Sequence, residues 1–288
     1  MKNMHRRHFL RAGTLSAGLF ALSAITSFKA KGAQMSDIRF DLGKNIVETA
    51  KQSGVPAFTS NNVNGLIWYS INNIPPQAEA LYTRPGYEIR WRNLFAFTLR
   101  ADRKLSDDLL VQNVTLQHRA DFKSHAEAQA FVEQTIAQFS QGRWKRAFPG
   151  DVARLTGRSS ILDEQGKINS YAASPDPAYA ISLEDWTELM RLGAQWYWSG
   201  DGILAKLDVS TTGEKRDGSP DYQLAIDFDI EKILDEALEK DEKYRMESLA
   251  KNGVDTAKLI KEDKEKQAAR KKILEENALK RGDKVLGG

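Results

Sequence analysis

The residues able to do chemistry are few, and their spacing is uninformative. Beyond the first eight residues the only imidazoles are His118 and His125, and the chain has no cysteine. A zinc or non-haem iron site draws on two or three imidazoles or thiolates at fixed spacing. Six residues separate these two histidines, across a strand end and a turn, and no zinc signature results. Thiolate metal sites, iron–sulfur clusters and cysteine nucleophiles are excluded outright. No Gly-x-Ser-x-Gly elbow, Walker loop or Gly-x-Gly-x-x-Gly turn is present. Ser159-Ser160, after Gly157-Arg158, reads as a loop rather than a nucleophile turn. Cofactors are therefore not expected, and neither catalytic nor metal-ligating residues are assigned.

Carboxylate pairs leave no local signature. Asp227 and Asp229 share one strand face with Gln223 and Ala225, which reads as ordinary solvent exposure. Glu214, Asp217 and Asp221 do not match a calcium loop. Asp201 reads as the turn residue of a hairpin.

Tryptophan is the one positive feature. Trp68, Trp91, Trp144, Trp186, Trp196 and Trp198 are many for this length, and the last two share a strand face. Aromatic residues dominate cores, so packing is the simpler reading. The functional reading is an anchor surface for a protein or glycan, and tryptophan and arginine carry interface energy. Its candidate residues are Arg90, Arg92, Trp196, Tyr197, Trp198 and Asp201, with Arg100 extending the basic ladder.

The elements that would hold these residues follow from periodicity. A short helix is predicted around Asn45–Gln52 and a strand over Leu66–Ile71. Tyr87–Leu99 alternates with period two, placing Tyr87, Ile89, Trp91, Phe95, Phe97 and Leu99 on one face. Val111–His118 is its predicted partner strand. Over Ser124–Gln141 the period becomes helical, opened by a capping box of Ser124 with Glu127 and closed at Gly142. Residues 149–181 read as a long loop-rich connection. A second helix is predicted over Leu183–Leu192, capped by Ser182 with Asp185. Gln195–Trp198 and Ile203–Val209 flank Ser199-Gly200-Asp201-Gly202 as a hairpin, and Tyr222–Asp229 alternates again. The predicted class is α+β: antiparallel sheet, in one body or two similar lobes, with helices packed on one face, and a charged helical C-terminal tail.

That tail, 231–288, holds 15 basic and 14 acidic residues and almost no aromatics. It reads as one or two exposed helices broken near Asn252-Gly253, with Asp255 capping the second, solvated or frayed over much of its length. The domain plan is thus 1–33 as an export signal, 34–230 as the α+β domain and 231–288 as the extension.

The first 33 residues have the layout of an export signal. Lys2, Arg6, Arg7 and Arg11 precede a moderately apolar stretch from Ala12 to Phe28, and Ala30-Lys31-Gly32 suits a signal peptidase. His5-Arg6-Arg7-His8-Phe9-Leu10-Arg11 resembles the twin-arginine export motif, matched in order from the arginine pair, with His5 where Ser or Thr is usual. The resemblance implies a periplasmic location. Membrane contact would come only through an uncleaved leader. The six basic residues of 1–32 account for the formal charge of +3; removing them leaves 36 basic against 39 acidic residues. Nucleic-acid binding thus has no support from charge.

In general plan, an exported α+β domain with a wet sheet face and no catalytic motif, the chain is similar to periplasmic immunity proteins that neutralise type VI secretion toxins such as a lipase. The resemblance implies a non-catalytic protein-binding protein whose partner is a secreted toxin. Two alternatives stay open. One is an envelope hydrolase using paired carboxylates, which requires an acid with a raised pKa in a cleft. The other is a structural or assembly factor acting through the C-terminal helices.

Overall fold

The computed structural model describes Met35 and residues 37–169 and 174–287. The export-signal reading of 1–33 lies outside the described residues.

Strand β1 (Ile38–Phe40) leads into helix α1 (Ile46–Gln52), where the Asn45 side chain accepts from the Val47 and Glu48 N–H groups. This satisfies donors that a helix start leaves orphaned. Strands β2 (Thr59–Val63) and β3 (Leu66–Asn72) form a hairpin on Asn64-Gly65, both at positive φ, the turn geometry that matches strand twist. Then come β4 (Ala80–Tyr82), β5 (Ile89–Trp91), β6 (Leu94–Asp102) and β7 (Asn113–His118). Helix α2 (His125–Gln141) begins where Ser124 accepts from the Glu127 N–H, as the capping pattern predicts. A short β8 (Lys145–Arg146) and a 3-10 turn at Gly157–Ile161 precede α3 (Leu183–Leu192), capped by Ser182. The chain closes with β9 (Ala194–Gly200), β10 (Ile203–Glu214), β11 (Pro220–Ile230), α4 (Glu231–Lys251) and α5 (Thr256–Arg281).

The large sheet has eight strands in the order β2-β3-β6-β7-β11-β10-β9-β8, antiparallel throughout. The predicted α+β class is what the chain adopts. The two strand groups are not separate lobes, because β7 and β11 pair from Ala225↔Gln117 to Asp229↔Asn113 and join them into one sheet. A second, three-stranded sheet, β1-β4-β5, packs on the inner face of the first. Phe40 meets Phe97 and Phe228 at ring separations of 5.5 and 5.6 Å, and Tyr82 stacks on Phe228 at 4.7 Å. Helices α2 and α3 also pack into that core through Val132, Ile136, Phe139, Trp186 and Leu189, as α1 does through Ile46 and Ala50. No helix among the described residues is long and apolar enough to cross a membrane.

The single strand expected over Tyr87–Leu99 is two. Asn93, at φ 54°, turns the chain between β5, in the small sheet, and β6, in the large one. The register shifts between Leu94 and Ala96, so Phe95 is exposed while Leu94, Phe97 and Leu99 enter the core. An irregularity of one residue moves a side chain to the opposite face.

The extension is helical, as expected, and breaks at Asn252-Gly253 with Asp255 as cap. Its end is not a free tail. Ala278 is fully buried against Ala153 and Leu155, with Leu274 and Val285 beside it. Asp283 accepts from the Ser159 N–H at 2.9 Å, and Lys271 and Arg270 pair with Asp151 and Glu164. Gly157, at φ +59°, faces Asp283 so closely that any Cβ there would collide with its carboxylate. Ala278→Asp should therefore release the end of α5. Amide protection across 270–281 is expected to fall roughly tenfold or more while β10 and β11 keep theirs, because an unpaired buried carboxylate costs more than the docking returns.

Candidate functional site

Alternation along the central strands sorts their side chains onto two faces. Phe97, Leu116, Ile226, Leu207 and Trp196 form one inward row, and Leu99, Val114, Phe228, Ala205 and Trp198 the next. The residues between them point to the opposite, open face. There Thr98, Thr115, Asp227, Lys206 and Tyr197 lie side by side, and the neighbouring row runs Trp68, Arg100, Asn113, Asp229, Leu204, Ser199.

These open-face side chains are interlocked across four strands. The Tyr197 hydroxyl donates to Gln195 Oε1 at 2.6 Å, and Gln195 Nε2 donates to Asp208 Oδ2 at 2.7 Å. Lys206 Nζ stands 3.9 Å from Asp208 and 2.9 Å from Asp227 Oδ2. Thr115 donates its one proton to Asp227 Oδ1 at 2.6 Å, and Asn113 Nδ2 donates to Asp229 Oδ1 at 2.8 Å. Asp227 and Asp229 are half-buried rather than freely solvated as the sequence suggested.

The electrostatics are uneven. Burial works against the Lys206 charge, but Asp227, aided by Asp208, outweighs it and lifts the ammonium to about 12. Burial also pushes the Tyr197 phenol to about 12. Asp229 has no such partner: among the described residues no cation lies within 4.0 Å of it. Burial first, then repulsion from Asp227, pushes its carboxyl up to about 6, against the Asn113 hydrogen bond and the more distant Arg100 and Lys206.

The six residues considered as an aromatic–arginine surface do not converge. Trp196 and Trp198 are 1 % and 2 % exposed on the inward face, so they are core and cannot anchor a partner. Tyr197 lies between them in sequence and on the other side of the sheet, within the polar network. Arg90 and Arg92 both pair with Glu79, at 2.5 Å each, holding the Glu79 carboxyl below its usual range through the Arg90 hydrogen bond foremost. Arg100 lies on the open face of the large sheet, apart from them. Asp201 is the hairpin turn residue, at φ 52°, with Arg84 3.4 Å away.

The histidines serve packing. His118 accepts from the Ala120 N–H, is clasped by Phe122, Phe131 and Trp91, and burial lowers it to about 4. His125 meets the Tyr222 hydroxyl at 2.7 Å, which also accepts from Trp186 Nε1. No group of three potential ligands able to hold a metal ion occurs among the described residues. Two hollows, of about 320 and 590 Å³, are lined by no residue of the open-face network. The first lies over Trp186 and Trp196, the second beside Arg84 and the start of α4.

Sequence reasoning missed Asn113, Thr115, Lys206, Asp208 and Gln195 as parts of one site. Alternation marks each as outward-facing, but only the register across strands shows that they touch.

Fold and site together define an α+β protein whose eight-stranded sheet is covered on one face and displays an ordered polar network on the other. No family model matches this chain, and neither a curated protein nor a solved structure matches it.

Proposed function

We propose that this is a non-catalytic protein-binding protein of the periplasm that engages its partner through the open face of the large sheet, in the manner of an immunity protein neutralising a secreted toxin. The observation that carries the reading is the interlocked network from Tyr197 to Asp227. Polar side chains already held by one another lose little freedom on binding, which lowers the entropy cost of association. A rigid sheet is also a better platform than a loop for a defined surface. The twin-arginine-like leader supports the location, and a stable inhibitory complex would bury on the order of 1,200–2,000 Å² in total.

The test is co-purification of the tagged chain from its own periplasm, beside the variants Thr115→Arg and Lys206→Glu with their folding checked by circular dichroism. A stoichiometric partner lost in both folded variants supports the proposal. A partner retained by both, or none at all, overturns it.

A second reading is favoured by one specific observation. A carboxyl raised to about 6 beside another carboxylate is the pattern of a general acid, although Asp229 lines neither of the two hollows. On that reading the protein is an envelope hydrolase with Asp229 as proton donor. Hydrolysis of peptidoglycan that is abolished by Asp229→Asn, with the fold intact, would establish it over the binding reading.

A further inference from the structure

The Asp229 carboxylate is the odd member of the network. Asp227 is met by Thr115 and Lys206, and Asp208 by Gln195 and Lys206. Asp229 receives one neutral donor, Asn113, on Oδ1, and its Oδ2 has no partner among the described residues. The groups that face it are all in view. Asn113 comes from β7, Asp227 from its own strand, Arg100 from β6, and Lys206 from β10, already committed to Asp227. Directly across on β10, in register with Asp229, sits the half-buried side chain of Leu204. The open face therefore presents a half-buried anion with a free oxygen beside an apolar shelf. Long basic side chains fit that combination, laying a hydrocarbon stem on apolar surface and carrying the charge at the tip.

We propose that Asp229 is the receptor for a basic side chain of the protein partner, an arginine or lysine whose stem lies on Leu204 and whose head group pairs with the free carboxylate oxygen. This rests on the protein-binding reading and names the chemistry of its contact. A guanidinium or ammonium brought to Asp229 gains a charge-assisted hydrogen bond in a site already partly dry, where such bonds are strongest. It also relieves the repulsion between Asp229 and Asp227. The free protein thus carries an electrostatic cost that the complex removes.

The test needs no partner protein, so its failure is separable from failure of the co-purification. The Asp229 carboxyl carbon is followed by NMR through a pH titration of the whole chain, alone and with saturating acetyl-Leu-Arg-Leu-amide. The same peptide with glutamine in place of arginine is the control, and calcium chloride is a third arm. The expected result is a midpoint near 6 in the free protein that falls by about one unit or more with the arginine peptide alone. Amide shifts should concentrate at Asn113, Thr115 and Leu204 and be lost in Asp229→Asn. A midpoint unmoved by the arginine peptide, or moved equally by the glutamine peptide, overturns the proposal. So does an equal fall with calcium, which would make Asp229 part of a cation site instead.

Discussion

Trp198→Ala is expected to destabilise the protein by about 3–5 kcal/mol, the range for deleting a large aromatic from a packed interior. Trp198 is 2 % exposed and stacks face to face on Phe139 of α2, with ring centroids 3.8 Å apart and planes 5° from parallel. Its strand neighbour across the ladder, Ala205, is too small to fill the space an alanine would open. The cavity would fall between the sheet and α2, the junction on which the inner face depends. Urea denaturation followed by tryptophan fluorescence and by far-ultraviolet circular dichroism checks this. A loss below about 1 kcal/mol would mean that the indole is not packed as described. The consequence for function is direct. Any loss of partner binding in Trp196 or Trp198 truncations would report unfolding, not an interface. Tyr197→Phe is the informative change, because it removes only the hydroxyl that donates to Gln195 and leaves the inward face untouched.

The contrast between Trp198 and Tyr197 also marks what could be read from the chain. Local signals were legible because their physics is local. Ser124 and Ser182 cap α2 and α3 through side chains three residues from the N–H groups they serve. Asp201-Gly202, both at positive φ, makes the hairpin that the tetrapeptide predicts. Alternation in β10 and β11 put the right residues on each face. Register was not legible. The pairing of β7 with β11 joins residues more than a hundred positions apart, and no short-range rule selects it. The site exists only because of that pairing, since Asn113 and Thr115 come from one strand and Asp229 and Asp227 from the other. Asn93 was a warning within the Tyr87–Leu99 run, being a residue that tolerates the left-handed region. At the C-terminus the docking buries only one side chain fully, Ala278, and otherwise rests on the Asp283 carboxylate, the Arg270 and Lys271 ion pairs and the partly buried Leu274 and Val285, a signal too sparse for hydrophobic periodicity to register.

Asp229→Asn should make the protein more stable at neutral pH, by on the order of 2 kcal/mol. The sign follows from the direction of the shift. The Asp229 carboxyl is raised from 3.8 to about 6, so between those values the folded protein holds a proton that the unfolded chain has released. Stability falls as pH rises through that window, and the cost is complete above it. Well below pH 3.8 both states are protonated and no cost remains, and at pH 4 only a small part of it is present. The amide of the variant is never charged, and its oxygen can still accept from Asn113 Nδ2. The gain over wild type should therefore be small at pH 4 and full at pH 7.5, measured as paired urea transitions at the two values. A variant equally or less stable at pH 7.5 would show that the carboxylate is compensated in the free protein. The predicted outcome bears on purpose, because a group that weakens the free fold when ionised has its natural explanation in a second state where the charge is used. In the binding reading that state is the complex, and Asp229→Asn should be more stable yet bind the basic partner more weakly. In the hydrolase reading it is the transition state, and the same variant should be stable and inactive. Stability and binding measured on this one substitution therefore separate a structural role, which would lose stability, from either functional one.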